Sequence, residues 1–154
     1  MHNSLIPNLM VNDVNETALF YQNILGFKLV VAVADFKKEM EESNIVMELK
    51  EGDNLDWANL KLDPEDPASA EVMFQSRISL VADLPGLPEL KDVAIGASQN
   101  LYLRNNDVDE QFNSLKNKVE VVQEPITRFY GMREWYMKDP NGYVLCFGQE
   151  LGQG

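Results

Sequence analysis

Reactive chemistry has few places to reside in this chain. Cys146 is the only cysteine and His2 the only histidine among 154 residues. A Cys–His nucleophile pair needs the base within hydrogen-bond reach of the thiol, and a histidine at the second residue is badly placed for that. Cys146 falls in mid-strand, where a free cysteine ordinarily reads as a small packing residue. No phosphate-binding loop, dinucleotide glycine fingerprint or zinc-type cysteine pair occurs. Acidic residues are abundant, yet no pair of carboxylates has a distinctive spacing. What remains is recognition chemistry. Trp57 and Asn59 alternate onto one face of an expected strand, and Asn100, Tyr102 and Arg104 share a face of another. Arg133 and Trp135 share a face of a third, leaving Met132, Glu134 and Tyr136 opposite. A sheet face carrying Trp, Tyr, Asn and Arg suits a planar ligand held by stacking and a few fixed hydrogen bonds. The competing reading is that these aromatics pack in the core or at a subunit interface.

The elements that must position these residues are announced by a repeated phrase. Asn12-Asp13-Val14-Asn15-Glu16 returns as Asn106-Asp107-Val108-Asp109-Glu110, 94 residues later. Each copy follows an apolar stretch and opens a helical pattern, with an Asp to cap the first turn and a Glu three residues on. Two copies of one supersecondary module are therefore expected. The first begins with a strand over 5–11 and a helix placing Val14, Ala18, Tyr21 and Leu25 at helical spacing. Gly26 is the expected helix stop, and 27–34 reads as a buried strand. The second module has a strand ending at Leu103 and a helix through Val108, Phe112, Leu115 and Val119. Strands are expected over 119–122, 126–130 and 132–138. Asp139-Pro140-Asn141-Gly142 is a turn signal, and 143–148 closes a hairpin.

Each half thus reads β-α-β-β-β, but the first has a strand too many. Residues 35–54 look like a charged insertion, with a short helix on Phe36 and Met40 and a strand near 45–49, before strands over 57–62 and 71–75. The two prolines of Asp63-Pro64-Glu65-Asp66-Pro67 mark a loop. Residues 77–96, with Pro85 and Pro88, read as the connection between modules. The expected organisation is one domain over 1–154, with module one about 4–76, the connection 77–96 and module two about 97–150.

Composition excludes several classes. Apolar residues make up 45% and aromatics 9%, enough for a real core. With 13 Lys and Arg against 25 Asp and Glu, the net charge is −12. Such a chain repels nucleic acid and anionic membrane surfaces, whose affinity rests on basic residues. The same field can draw in a cationic ligand. No run approaches the length of a membrane span and no signal-like leader is seen, so a reducing cytoplasm is expected for the single thiol.

Several strings, in order, resemble one superfamily. Leu5-Ile6-Pro7 through Val11-Asn12-Asp13-Val14, Phe20-Tyr21 and Leu25-Gly26-Phe27 look like the opening of the glyoxalase / bleomycin-resistance / extradiol-dioxygenase, or vicinal oxygen chelate, superfamily. Tyr130-Gly131-Met132-Arg133-Glu134-Trp135 and Lys138-Asp139-Pro140-Asn141-Gly142-Tyr143 look like the closing hairpin of its bleomycin-resistance-like branch. Phe74-Gln75-Ser76-Arg77 and Asn106-Asp107-Val108-Asp109 fit that branch as well. The resemblance implies an α+β fold of two βαβββ modules forming an incomplete, cup-shaped mixed barrel. It also implies a homodimer with a ligand groove. In metal-dependent members four positions hold a divalent ion; here they correspond to Ile6, Met73, Asn100 and Cys146. Apolar, thioether, amide and thiol side chains are a poor set for such an ion, so neither a metal nor any other cofactor is expected.

The expected function is therefore metal-independent binding of a bulky small molecule, with a cationic, flat-ringed antibiotic of the bleomycin type as candidate. The expected ligand-binding residues are Trp57, Asn59, Met73, Gln75, Asn100, Tyr102, Tyr130, Arg133, Trp135 and Cys146. No catalytic residue is named. The alternative is a glyoxalase-like lyase or isomerase with an atypical active site.

Overall fold

The computed structural model describes residues 4–34, 44–96 and 98–152. The chain divides into two compact units, Met1–Ala94 and Ile95–Gly154. Each is a mixed sheet with a helix against one face. The helix expected on Phe36 and Met40 lies outside the described residues.

The first unit runs β1 (Asn8–Val11), α1 (Val14–Leu25), β2 (Lys28–Ala34), β3 (Ile45–Val46), β4 (Leu55–Lys61), β5 (Glu71–Ser76) and α2 (Arg77–Asp83), then a short 3-10 helix over Pro88–Lys91. Its sheet order is β1-β5-β4-β2-β3. The second unit runs β6 (Asn100–Arg104), α3 (Val108–Leu115), β7 (Glu120–Thr127), β8 (Met132–Lys138) and β9 (Val144–Glu150), with sheet order β6-β9-β8-β7. The orders coincide once β3 is removed. The two-residue β3, on the sheet edge beside β2, is thus the extra strand of the first unit. In both units the first strand pairs parallel with the last, and all other pairings are antiparallel.

The helix starts are built as the repeated phrase implies. Asp13 Oδ1 accepts from Glu16 N at 2.8 Å, and Asp107 Oδ1 from Glu110 N at 2.9 Å. Each thereby satisfies a donor that the first helical turn leaves open. Gly26 ends α1 in the left-handed conformation, φ 77°, which a residue with a Cβ seldom adopts. The side of each sheet facing its helix is apolar. Val14, Ala18 and Tyr21 of α1 are buried with Leu9, Val11, Ala58, Leu60, Val72 and Phe74. Val108 and Leu115 of α3 are buried with Trp135, Met137, Leu145 and Phe147.

Three boundaries differ from the sequence expectation. Residues 77–94 belong to the first unit and carry α2 and the 3-10 helix. Arg77 ties them down, donating to the carbonyls of Leu90, Lys91 and Val93 at 2.7, 3.1 and 2.8 Å. Helix α3 stops at Leu115, one turn short of Val119. Strand β7 is one strand of eight residues, not two separated near Pro125. A proline lacks the donor for a central ladder, but β7 is an edge strand and its register slips between Gln123 and Ile126.

Candidate functional site

The chemistry of the second unit gathers on the sheet face opposite α3. Glu134, in the middle of β8, is 2% exposed. Its Oε1 accepts from the Tyr102 hydroxyl at 2.9 Å. Its Oε2 accepts from Tyr130 OH at 3.0 Å, Tyr136 OH at 3.0 Å and Arg128 Nε at 3.2 Å. Alternation brings Tyr136 to this side, two residues along β8. Tyr102 arrives from β6, and both pair in register with Cys146 of β9. Arg128 and Tyr130 come from the β7–β8 turn, closed by Gly131 at φ 80° with its N–H on Arg128 O at 3.1 Å.

Burial alone would push the Glu134 carboxyl upward. The four hydrogen bonds from Tyr102, Tyr130, Tyr136 and Arg128 together outweigh it and hold the group below the ordinary carboxylate value. Burial, reinforced by the bond to Glu134, raises the Tyr102 phenol to about 12. Burial and the neighbouring Cys146 and Glu134 raise Tyr136 to about 12. Burial likewise raises the Cys146 thiol, which leaves it a poor nucleophile. The cluster at neutral pH is therefore an ionised carboxylate, three neutral phenols, a guanidinium and a neutral thiol.

Glycine at 148 permits this arrangement. Gly148 pairs with Glu134 on one side and Arg104 on the other. A Cβ there would collide with the Tyr102 hydroxyl and stand 2.9 Å from its Cε1. The phenol thus lies across β9 where every other residue would carry a side chain. Tyr102 and Tyr130 still present 47% and 54% of their surface to solvent, and Phe129, edge-on to Tyr130 at 5.1 Å, is fully exposed. Arg104 lies 5.9 Å from the Tyr102 ring centroid.

The sheet face of the first unit opposite α1 carries Trp57 and Asn59, which the alternation placed together, and with them Met73 and Gln75. Register pairs Trp57 with Gln75 and Asn59 with Met73. Gln75 is fully engaged. Its Oε1 accepts from Asn8 Nδ2 at 2.7 Å, and its Nε2 donates to Ser79 Oγ at 2.9 Å and Asp83 Oδ2 at 2.6 Å. Asn59 donates to Glu71 Oε1 at 2.8 Å.

Within the second unit, Tyr102, Tyr130 and Cys146 come together around Glu134, and Asn100 lies on the same face two residues before Tyr102. Arg133 and Trp135 do not join them. Trp135 is 0% exposed, stacked on Phe147 at 5.1 Å and edge-on to Phe112 of α3 at 5.4 Å, with Nε1 donating to Gln111. A ligand cannot reach it. Arg133 points the same way and forms a two-point pair with Asp109 of α3, at 2.7 and 3.1 Å. Sequence reasoning missed Glu134, Tyr136, Arg128 and Gly148. The signal available was that Val108, Phe112 and Leu115 of α3 need apolar partners, and Trp135 and Met137 supply them. That assigns Glu134 and Tyr136 to the other side.

The four positions that the resemblance equates with a metal site are Ile6, Met73, Asn100 and Cys146. Cys146 is wholly buried with its thiol held neutral. The set has no carboxylate or imidazole, and it does not fit a hard or borderline divalent ion. Among the described residues, no group of three or more His, Cys, Asp and Glu is placed to hold a metal.

Residues 5–147 match the model of the Glyoxalase/Bleomycin resistance protein/Dioxygenase superfamily, and the chain belongs to it. Solved structures that it resembles include a protein of unknown function from Agrobacterium tumefaciens str. C58, at 20% identity and TM-score 0.64, covering 98% of this chain and 96% of that one. TioX from Micromonospora sp. ML1 superposes at TM-score 0.60 with 18% identity, over 97% and 100% of the two chains. A glyoxalase/bleomycin resistance protein/dioxygenase family enzyme from Burkholderia phytofirmans PsJN does so at 0.63 with 16% identity, over 94% and 95%. At these identities the likeness is one of fold. No curated protein matches the chain. Among the described residues no helix is long and apolar enough to cross a membrane.

Proposed function

We propose that this chain is a small-molecule-binding protein that works without a metal, its ligand resting on the tyrosine face of the second unit. One observation carries the reading: three phenols donate to a single buried carboxylate, which fixes the rings and leaves two of them half exposed. Rings locked in this way lose little entropy when a flat ligand stacks on them. The hydroxyl protons are spent on Glu134, so the phenol oxygens face a ligand as acceptors only. Exposed aromatic faces with outward acceptors, in a chain of net charge −12, favour a cationic, flat-ringed ligand such as a bleomycin-type antibiotic. A homodimer in a reducing cytoplasm is part of the proposal.

The charge states argue against lyase or isomerase chemistry at this cluster. A general base works best with a pKa near the operating pH, whereas Glu134 is held low and its phenols high. The test is thermal denaturation with a bleomycin-family antibiotic at low and moderate salt. Ligand at a hundred times its dissociation constant adds about 2.7 kcal/mol, on the order of 5–10 °C here. A saturable rise that weakens with salt supports the proposal. A flat titration removes the antibiotic from it.

A further inference from the structure

Arg104 and Glu150 bring opposite charges to one end of the tyrosine face without pairing with each other. Arg104 follows Tyr102 by two residues, and Glu150 pairs in register with Met132, two residues before Glu134. Both side chains therefore leave the sheet on that face. They line one cavity of about 230 Å³, together with Asn105, Asn106, Gly148 and Gln149. Gly148, over which the Tyr102 phenol lies, is common to the cavity and the tyrosine face. Among the described residues neither charge has an ion pair. The guanidinium instead has Nη1 3.9 Å from the Met132 thioether and lies 5.9 Å from the Tyr102 ring centroid. With 25 Asp and Glu to 13 Lys and Arg in the chain, an arginine without a carboxylate is unexpected.

The neutral groups of the cavity have a bias as well. Asn105 Oδ1 accepts from Asp107 N at 2.6 Å, and Gln149 Oε1 accepts from Val108 N at 3.0 Å. The ends of these amides left unengaged are N–H donors, which suit an anionic group. A ligand with only one charge would meet its like on Arg104 or on Glu150. A ligand with both charges answers each with its opposite. We propose that this cavity takes the ammonium and carboxylate of a zwitterionic aromatic ligand, an aromatic amino acid or a molecule that ends in one. Its carboxylate lies on Arg104, whose planar fork matches that group. Its ammonium lies on Glu150 and its ring against Tyr102. The inference rests on the tyrosine face as the seat of a flat ring, and it adds an anionic group to what that ligand must carry.

Phenylalanine, phenethylammonium and 3-phenylpropanoate share a ring and carry both charges, the positive one or the negative one. The chain is titrated with each at neutral pH while the side-chain N–H signals of Arg104 and Asn105 are followed by nuclear magnetic resonance. Phenylalanine should move both signals saturably and bind at least about tenfold more tightly than either analogue, the worth of one charged hydrogen bond. Arg104→Met should reduce its affinity to that of phenethylammonium, and Glu150→Gln to that of 3-phenylpropanoate. Both substitutions fall on exposed side chains, so the fold should tolerate them. Equal affinity of the three probes, a preference for phenylalanine that survives either substitution, or unmoved signals would overturn the cavity's role. A phenylalanine affinity that Tyr102→Ala leaves unchanged would instead overturn the tyrosine-face reading on which the inference rests.

Discussion

Replacing Gly148 by alanine tests the reasoning about the tyrosine cluster through a residue with no side chain of its own. Gly148 is not among the glycines with positive φ, so the backbone accepts alanine without strain. The new methyl would occupy the position of the Tyr102 hydroxyl. Because that is the free end of a side chain, Tyr102 would swing away and break its bond to Glu134 Oε1. A hydrogen bond to a charged group is worth about 1.5–3 kcal/mol. Alanine for glycine at a compatible position returns about 0.4–1 kcal/mol by restricting the unfolded chain. The net expectation is a loss of roughly 1–2 kcal/mol, a fall in Tm on the order of 2–8 °C for a chain this long. Titration of phenolate absorbance should show one tyrosine leaving the group near 12 and returning toward the ordinary value. In a Tyr102→Ala background the glycine substitution should carry no penalty. A Gly148→Ala protein as stable as the parent, with unchanged tyrosine titration, would refute the claim that this glycine positions the phenol.

Other outcomes follow from the same geometry. Because the folded Glu134 pKa is depressed, its contribution is present above the unfolded value and is lost as pH falls through the folded one. Tyr102 and Tyr136 are raised to about 12, so theirs is intact below the ordinary phenol value of 10.0 and is lost as pH rises toward 12. Glu134→Gln should therefore flatten the acid limb of a pH–stability curve measured by chemical denaturation and only shrink the alkaline one, because burial, not Glu134, is the largest cause of the raised phenols; the plateau should fall by about 2–3 kcal/mol. Cys146, wholly buried with its thiol raised, should react with an aromatic disulfide reagent only as fast as the protein unfolds; rapid native-state labelling would contradict this. Arg133→Ala breaks only a partly exposed pair with Asp109, so it should lower stability by less than about 1 kcal/mol and leave antibiotic affinity unchanged by calorimetry. Trp135→Ala should destabilise by about 3–5 kcal/mol, read by denaturant unfolding.

Much of the fold was legible because its punctuation is local. Asp13, Asp107 and Gly26 act through bonds spanning a few residues, and so does the Asp139–Gly142 turn, where Asp139 Oδ1 accepts from Asn141 and Tyr143 N–H at 2.8 and 2.9 Å. The tie of Arg77 to three carbonyls over a dozen residues away was not legible, and so neither was order in the supposed connection. Alternation correctly placed Trp57 with Asn59 and Arg133 with Trp135. Alternation by itself could not say which side of β8 faces a helix, because both sides carry an aromatic residue; that needed the apolar stripe of α3 to be matched to Trp135 and Met137. Gly148 left no trace at all, since its role depends on where Tyr102 from another strand comes to lie.

The parallel pairing of first and last strands also bears on the order in which this chain can be assembled. In the first unit Asn8 waits for Met73, and in the second Asn100 waits for Val144. Neither sheet can be completed by adding hairpins one at a time to a growing ribbon. During synthesis β1 has no neighbour until β5 has been made, which leaves Leu9, Met10 and Val11 uncovered on an open strand edge for most of the first unit's translation. Long-range closure of this kind is slow and exposes a nascent chain to mispairing. The strands that flank the two candidate faces are therefore the last to be secured, and neither face exists before its unit has closed.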